Sequence, residues 1–166
     1  CKENFLGIFE ASGLSYLFLR AVEVGAINEI RKFFKHWNSL ENDYEHVANV
    51  SPAVDFINRD ENGECALHSA SKEGHGIALD VLIESLYAKE SVNVGNTMSQ
   101  SPLTLAVRNS HVKKKDGHDR DFGYLYCVRR LREAGAKISI QHINEATLHD
   151  DRDLIEALTG TSIVKE

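Results

Sequence analysis

The sequence has few of the features that commonly direct a small protein to a function. Its 3 cysteines, Cys1, Cys65 and Cys127, are far apart and form no Cys-x-x-Cys pair. Such a set is no disulfide framework, and free thiols are typical of a reducing compartment. No apolar run approaches the ~18 residues that a membrane-spanning helix needs, and no signal peptide is visible. We therefore expect a soluble protein in the cytoplasm, with the nucleus left open and no membrane insertion.

Positive charge is also scarce. The formal net charge is −6 and the isoelectric point about 5.8. The one dense basic run, residues 113–115, is followed directly by acids. Such a chain has no general attraction to phosphate backbones, so we expect no nucleic-acid partner.

The chain has few prolines and few strand-like alternations of β-branched residues. Its apolar residues instead recur at helical spacing. The chain has 2 prolines. Leu17, Ala21 and Val24 fall on one helical stripe, and Gly25 ends it as a helix stop would. A second stripe over residues 27–34 follows. The same order returns in residues 67–82, where Ile77, Ala78, Val81 and Leu82 form the second stripe. The pattern predicts an all-α fold.

The recurrence has a fixed spacing. Four pairs of like positions are 36 residues apart: Phe56 and Val92, Leu67 and Leu103, Ala70 and Ala106, Gly74 and Ser110. A short helix, a tight turn, a second helix and an extended loop, repeated at such a period, indicate a helical solenoid. Glycines 25 and 74 should then be left-handed, and Ser110 should either be strained or belong to a different turn.

Residues 55–84 resemble an ankyrin repeat. Asp60 and Asn62-Gly63 occupy the turn positions of that motif, and residues 65–68 stand where the family prefers Thr-Pro-Leu-His. Residues 92–111 resemble the next copy, and residues 18–35 the helix pair of a first one. The resemblance implies a single domain over 1–166, a short solenoid of about four helix-turn-helix repeats with inserted loops. The approximate repeats are 14–53, 54–90, 91–136 and 137–160, with insertions at 37–53 and 112–122.

The same resemblance implies a binding module without catalysis or cofactors. Ankyrin repeats generally recognise proteins through the concave face, with projecting loops and exposed first-helix positions, and here the inserted loops offer a second surface. Carried onto this sequence, the candidate partner-binding residues are Arg59, Glu61, Asn62, Glu64, Lys72, Glu73, Thr97, Met98, Gln100, Arg108 and Asn109. Self-association through an open solenoid end is a further possibility, as is a regulatory cytosolic role within a larger enzyme or channel.

A metal-dependent enzyme is the rival hypothesis. It requires Cys65 and His68, three residues apart, to converge with a residue such as His118. The resemblance instead implies that His68 bridges neighbouring loops through hydrogen bonds. Residues 116–130 fail as a calcium-binding loop in both registers, because the required glycine and glutamate are missing. We therefore expect no catalytic, cofactor-binding or metal-binding residues.

Overall fold

The computed structural model describes residues 16–43, 59–84, 91–111 and 122–161, with side chains of the first range described to residue 35. These ranges contain helices and no β-strand, which confirms the all-α class for the described part. The helices are α1 (described over 16–23), α2 (Ile27–Asp43), α3 (Ala66–Lys72), α4 (Gly76–Glu84), α5 (Pro102–Asn109), α6 (Phe122–Glu133), α7 (Ile140–Leu148) and α8 (Arg152–Thr159).

The helices pack in two rows. In the first row α3 contacts α5 and α5 contacts α7, while in the second row α2, α4, α6 and α8 contact one another in order. The rows are joined within pairs, α3 with α4, α5 with α6 and α7 with α8. In α1, the Phe18 ring packs on Phe33 of α2, with ring centres 4.7 Å apart. Each pair thus covers the apolar face of the next.

The core lies between the two rows. Its largest fully buried apolar side chains are Ile30, Leu79, Leu103, Leu131, Leu154 and Leu158. Full burial of such a side chain stabilises the fold by about 1.5–3 kcal/mol. Ala70, Ala106 and Ala146 have no exposed surface, and their small size lets first-row helices approach closely.

Two predicted stripes were partly wrong. Leu17 and Val24 are 62% exposed, and Phe18 and Val22 are buried instead. Residues 16–22 are apolar at six of seven positions, so spacing alone did not select the buried face. In α4, Ile77 is 58% exposed although Ala78 and Leu82 are buried.

The predicted insertion at 37–53 was also partly wrong. Residues 37–43 continue α2, which runs unbroken from Ile27 to Asp43. The remainder of that insertion, and residues 112–121 of the second one, lie outside the described residues.

The turns within pairs agree with the prediction at all three positions, Gly25, Gly74 and Ser110. Gly25 and Gly74 are left-handed, with φ of +68° and +70°. Ser110 has φ of −60° and continues the helical geometry, and its N–H donates to Ala106 and Val107 carbonyls. The turn after α5 therefore differs and carries no left-handed strain at Ser110. In the last pair, Asp150 occupies the left-handed position with φ of +49°.

Candidate functional site: stacked loops beside an open groove

The loop before α3, residues 59–65, is organised by one carboxylate and is called the first loop below. Asp60 Oδ1 accepts the main-chain N–H of Asn62 at 2.9 Å and of Glu64 at 2.8 Å. Gly63 between them has φ of +71°. The main-chain N–H of Asp60 also donates to the carbonyl oxygen of Glu64, at 3.0 Å. The first loop is thus a closed turn whose tip projects beside α3.

The loop before α5, residues 95–101, has the same construction and is called the second loop. Asn96 Oδ1 accepts the N–H of Met98 at 3.0 Å and of Gln100 at 2.9 Å. Ser99 takes the left-handed position with φ of +59°. An amide therefore organises the second loop as a carboxylate organises the first.

The two loops are bound to each other. Thr97 donates to the Asn62 carbonyl from both its N–H and its Oγ1, each at 2.9 Å. Asn96 Nδ2 donates to Glu64 Oε1 at 3.3 Å. These bonds fix the spacing of the loop tips.

The hydrogen bonds at the start of α3 show whether Cys65 and His68 are free to bind a ligand or stabilise the fold. His68 is fully buried. Its Nδ1 accepts the Cys65 N–H at 3.2 Å and lies 3.1 Å from the Cys65 Sγ. Because Nδ1 accepts, Nε2 carries the proton and donates to the Gln100 carbonyl at 3.0 Å. His68 thus ties the first loop to the second, and both ring nitrogens are used.

Burial keeps this pair neutral. It lowers the pKa of His68 and raises the pKa of the Cys65 thiol. A neutral, buried thiol is a weak nucleophile. Within the described ranges, no three His, Cys, Asp or Glu side chains are arranged to hold a metal ion, and His118 lies outside those ranges. The geometry here is that of a structural tie.

The start of α7 repeats this tie, and the sequence reasoning missed it. His142 Nδ1 accepts the Ser139 N–H at 3.2 Å, and its Nε2 donates to Thr104 Oγ1 at 3.0 Å. Burial lowers the pKa of His142 as well. The signal was present, since Ser139-x-x-His142 has the spacing of Cys65-x-x-His68.

Two turns within pairs are covered by a ring from the following pair. An added Cβ on Gly25 would lie 3.0 Å from the His75 ring, and one on Gly74 would lie 3.1 Å from the Tyr124 ring. His75 Nε2 is 3.0 Å from the carbonyl oxygen two residues before Gly25. Tyr124 donates at 3.1 Å to the equivalent oxygen before Gly74. Only glycine combines a positive φ with such close ring contact.

A groove of about 300 Å³ lies between α1 and the first loop with α3. Its walls comprise Tyr16, Leu19, Arg20 and Glu23 of α1 and Asp60, Asn62, Glu64, Ser69, Lys72 and Glu73 across from them. Arg20 pairs with Glu23 on the α1 wall. Lys72 pairs with Glu64 on the other wall at 3.3 Å. Charged side chains therefore line both walls, and an exposed aromatic side chain, Tyr16, lies on the α1 wall.

The groove brings together four of the predicted partner-binding residues. Asn62, Lys72 and Glu73 are exposed there. Glu64 departs from the prediction of an exposed contact residue, because it is only 5% exposed. Its carboxylate is held by Lys72 and Asn96, so it serves the fold more than a partner.

The other predicted residues do not line the groove. Arg59 and Glu61 are exposed on the first loop, and Arg59 donates to the Gly95 carbonyl at 3.4 Å. In the second loop Thr97 is exposed, Met98 is 68% exposed and Gln100 is half-buried. At the end of α5, Arg108 is exposed and Asn109 donates to the Leu105 carbonyl at 2.9 Å. These residues therefore lie outside the groove.

The α1 wall was missed although residues 18–35 resemble the helix pair of a first repeat, because binding positions were carried over only to the second and third repeats. Tyr16, Leu19, Arg20 and Glu23 precede the first recognisable turn, and only the packing of α1 beside α3 places them opposite the first loop.

No protein-family model and no curated protein matches this chain. In the part of the chain that the structure describes, no helix is long and apolar enough to cross a membrane.

Proposed function

We propose that this chain is a protein-interaction module of the ankyrin-repeat type, which binds a protein partner in the cytoplasm without catalysis or a cofactor. Four features support the type: paired helices in two rows, the His68 and His142 ties, left-handed residues in the turns after α1, α3 and α7, and loops that project before α3 and α5. Stacked pairs of this kind form extended binding surfaces.

The groove beside the first loop is the single observation that carries the proposal. Its walls are held by hydrogen bonds and ion pairs within the chain, so the surface is formed before binding. Preformed surfaces lose less conformational entropy on binding. Exposed Tyr16 offers an aromatic anchor, and the charged residues around it provide a polar rim.

A charge-swap experiment tests the groove. The first bait is the wild-type chain, and the second carries Arg20→Glu with Glu73→Lys, which leaves the net charge unchanged. A matched control carries Arg129→Glu with Glu84→Lys, which are exposed on the second row. Each bait is incubated with cell extract, and retained proteins are identified by mass spectrometry.

We expect a partner that wild type and control retain and the groove variant loses. If all three baits retain the same proteins, the groove is not the binding surface. If no bait retains a specific protein, the interaction-module proposal itself is wrong.

A further inference from the structure

The groove has an unequal charge balance. Four carboxylates and two cations line it. Both cations already have carboxylate partners, Arg20 with Glu23 and Lys72 with Glu64. Among the described residues, Asp60 and Glu73 have no cation within ion-pair distance, and both are exposed. The groove therefore has two negative charges to offer an incoming group.

The orientation of Asp60 is fixed by the first loop. Its Oδ1 accepts two main-chain N–H groups, at 2.9 and 2.8 Å. Its Oδ2 has one long contact, 3.4 Å from Asn62 Nδ2, and retains accepting capacity. A carboxylate held in this way needs no reorganisation to accept a new donor.

The opposite wall adds an aromatic surface. Tyr16 is 64% exposed and lines the groove together with half-buried Leu19. A guanidinium group suits this combination better than an ammonium group. Its planar fork binds carboxylates through two parallel bonds, and its face stacks on aromatic rings.

We propose that the groove accepts an arginine side chain from the partner, bound by Asp60 and Glu73 and flanked by Tyr16. This inference rests on the proposed function and names the chemistry of the partner. The volume of about 300 Å³ is at the lower end of the range for small-molecule pockets, which suits one large side chain and its neighbours. Binding through these exposed charges weakens as salt rises.

Peptide display tests the inference. A random dodecapeptide library on phage is selected against the full chain, and enriched peptides are synthesised with a fluorescent label. Each arginine is replaced in turn by citrulline, its neutral analogue, and by lysine. Dissociation constants are measured by fluorescence anisotropy.

The protein variant is Asp60→Asn with Glu73→Gln. Asparagine at residue 60 keeps the turn, because Asn96 already performs the same role in the second loop. The matched control, Glu84→Gln with Asp150→Asn, removes the same charge from exposed sites outside the groove. Circular dichroism checks that both variants fold.

We expect one arginine whose replacement by citrulline weakens binding at least about tenfold, since its charge-assisted hydrogen bonds to the carboxylates are lost. Replacement of that arginine by lysine, which keeps the positive charge, should weaken binding less than replacement by citrulline. The groove variant should weaken the arginine peptide similarly without further weakening the citrulline peptide, and the control should match wild type.

Enriched peptides that tolerate citrulline everywhere, or that bind the groove variant as tightly as wild type, would overturn the arginine inference and leave the interaction module standing. A selection that enriches no peptide would count against both.

Discussion

The first and second loops make the same hydrogen bonds with different residues. Asp60 and Asn96 each accept two main-chain N–H groups, at 2.8–3.0 Å. Gly63 and Ser99 each take the left-handed position. The turn thus needs an accepting side chain at one place and a positive φ three residues later, and the identity of each residue matters less. A repeat can diverge widely in sequence while its loop stays the same.

The first turns of the helices that follow these loops, α3 and α5, differ from each other more than the loops do. His68, after the first loop, is fully buried and reaches the Gln100 carbonyl of the second loop. Thr104, after the second loop, is half-buried and accepts from His142 of the following pair. The side-chain bond from α3 to the second loop therefore depends on the His68 ring alone. The bond from α5 to α7 depends on two side chains, Thr104 and His142.

Removing the His68 ring should have the largest effect. His68→Ala leaves the buried Cys65 N–H without its partner, which costs about 1–3 kcal/mol, and removes one of the two hydrogen bonds that the Gln100 carbonyl accepts, which costs about 1 kcal/mol. We expect a loss of about 3 kcal/mol or more in the free energy of unfolding, measured in urea. Thr104→Ala should cost about 2 kcal/mol, because the hydrogen bonds of its Oγ1 with Ser101 Oγ and His142 Nε2 are lost, at about 1 kcal/mol each. Equal losses of unfolding free energy in the two variants would show that the starts of α3 and α5 are stabilised equally.

Acidification should act on the same tie more weakly, because it leaves the ring in place. The folded pKa of His68 lies below its unfolded value of about 6.5. Between these values the unfolded chain binds more protons, so stability is complete above the unfolded pKa and falls as pH drops below it. We expect a lower urea midpoint at about pH 5.5 than at about pH 7.5, with a smaller difference in His68→Asn. A wild-type midpoint that stays constant or rises on acidification would contradict this.

Substitutions at the two left-handed positions, Gly63 and Ser99, should give the smallest difference in stability. An added Cβ on Gly63 would lie 3.1 Å from Thr97 N and 3.2 Å from Thr97 Cγ2. Gly63→Ala should therefore cost about 1–2 kcal/mol from positive φ and close contact with the second loop. Ser99→Gly should change stability by less than about 1 kcal/mol, because relief of strain opposes the extra freedom of the unfolded chain. Thermal unfolding compares the two, and a harmless Gly63→Ala would mean that the loop contact is easily displaced.

Much of the local structure followed from the sequence. The helix pairs, the 36-residue spacing of the two loops and the left-handed turns at Gly25 and Gly74 depend on residues near one another in the chain. The structural role of His68 followed from the resemblance, and its two hydrogen bonds agree with it. The His142 tie was equally local and could have been found from its Ser-x-x-His spacing.

The candidate site was only partly predictable. Asn62 on the first loop and Lys72 and Glu73 at the end of α3 were reachable from the repeat pattern, and the structure places them on the groove. Glu64 could not be distinguished from them, because its burial depends on Lys72 and on Asn96, 32 residues away. The α1 wall lies in the helix pair that resembles a first repeat, but the placement of its side chains opposite the first loop depends on the packing of α1.

The sequence by itself determined where helices begin, where turns fall and which loops are alike, since capping, positive φ and apolar spacing act over a few residues. Only the tertiary structure decided which face of α1 is buried and that Tyr16, Arg20 and Glu23 stand opposite the first loop. Those relations depend on how one helix pair rotates against the next. That rotation is chosen by the packing of whole faces, and no short stretch of sequence encodes it.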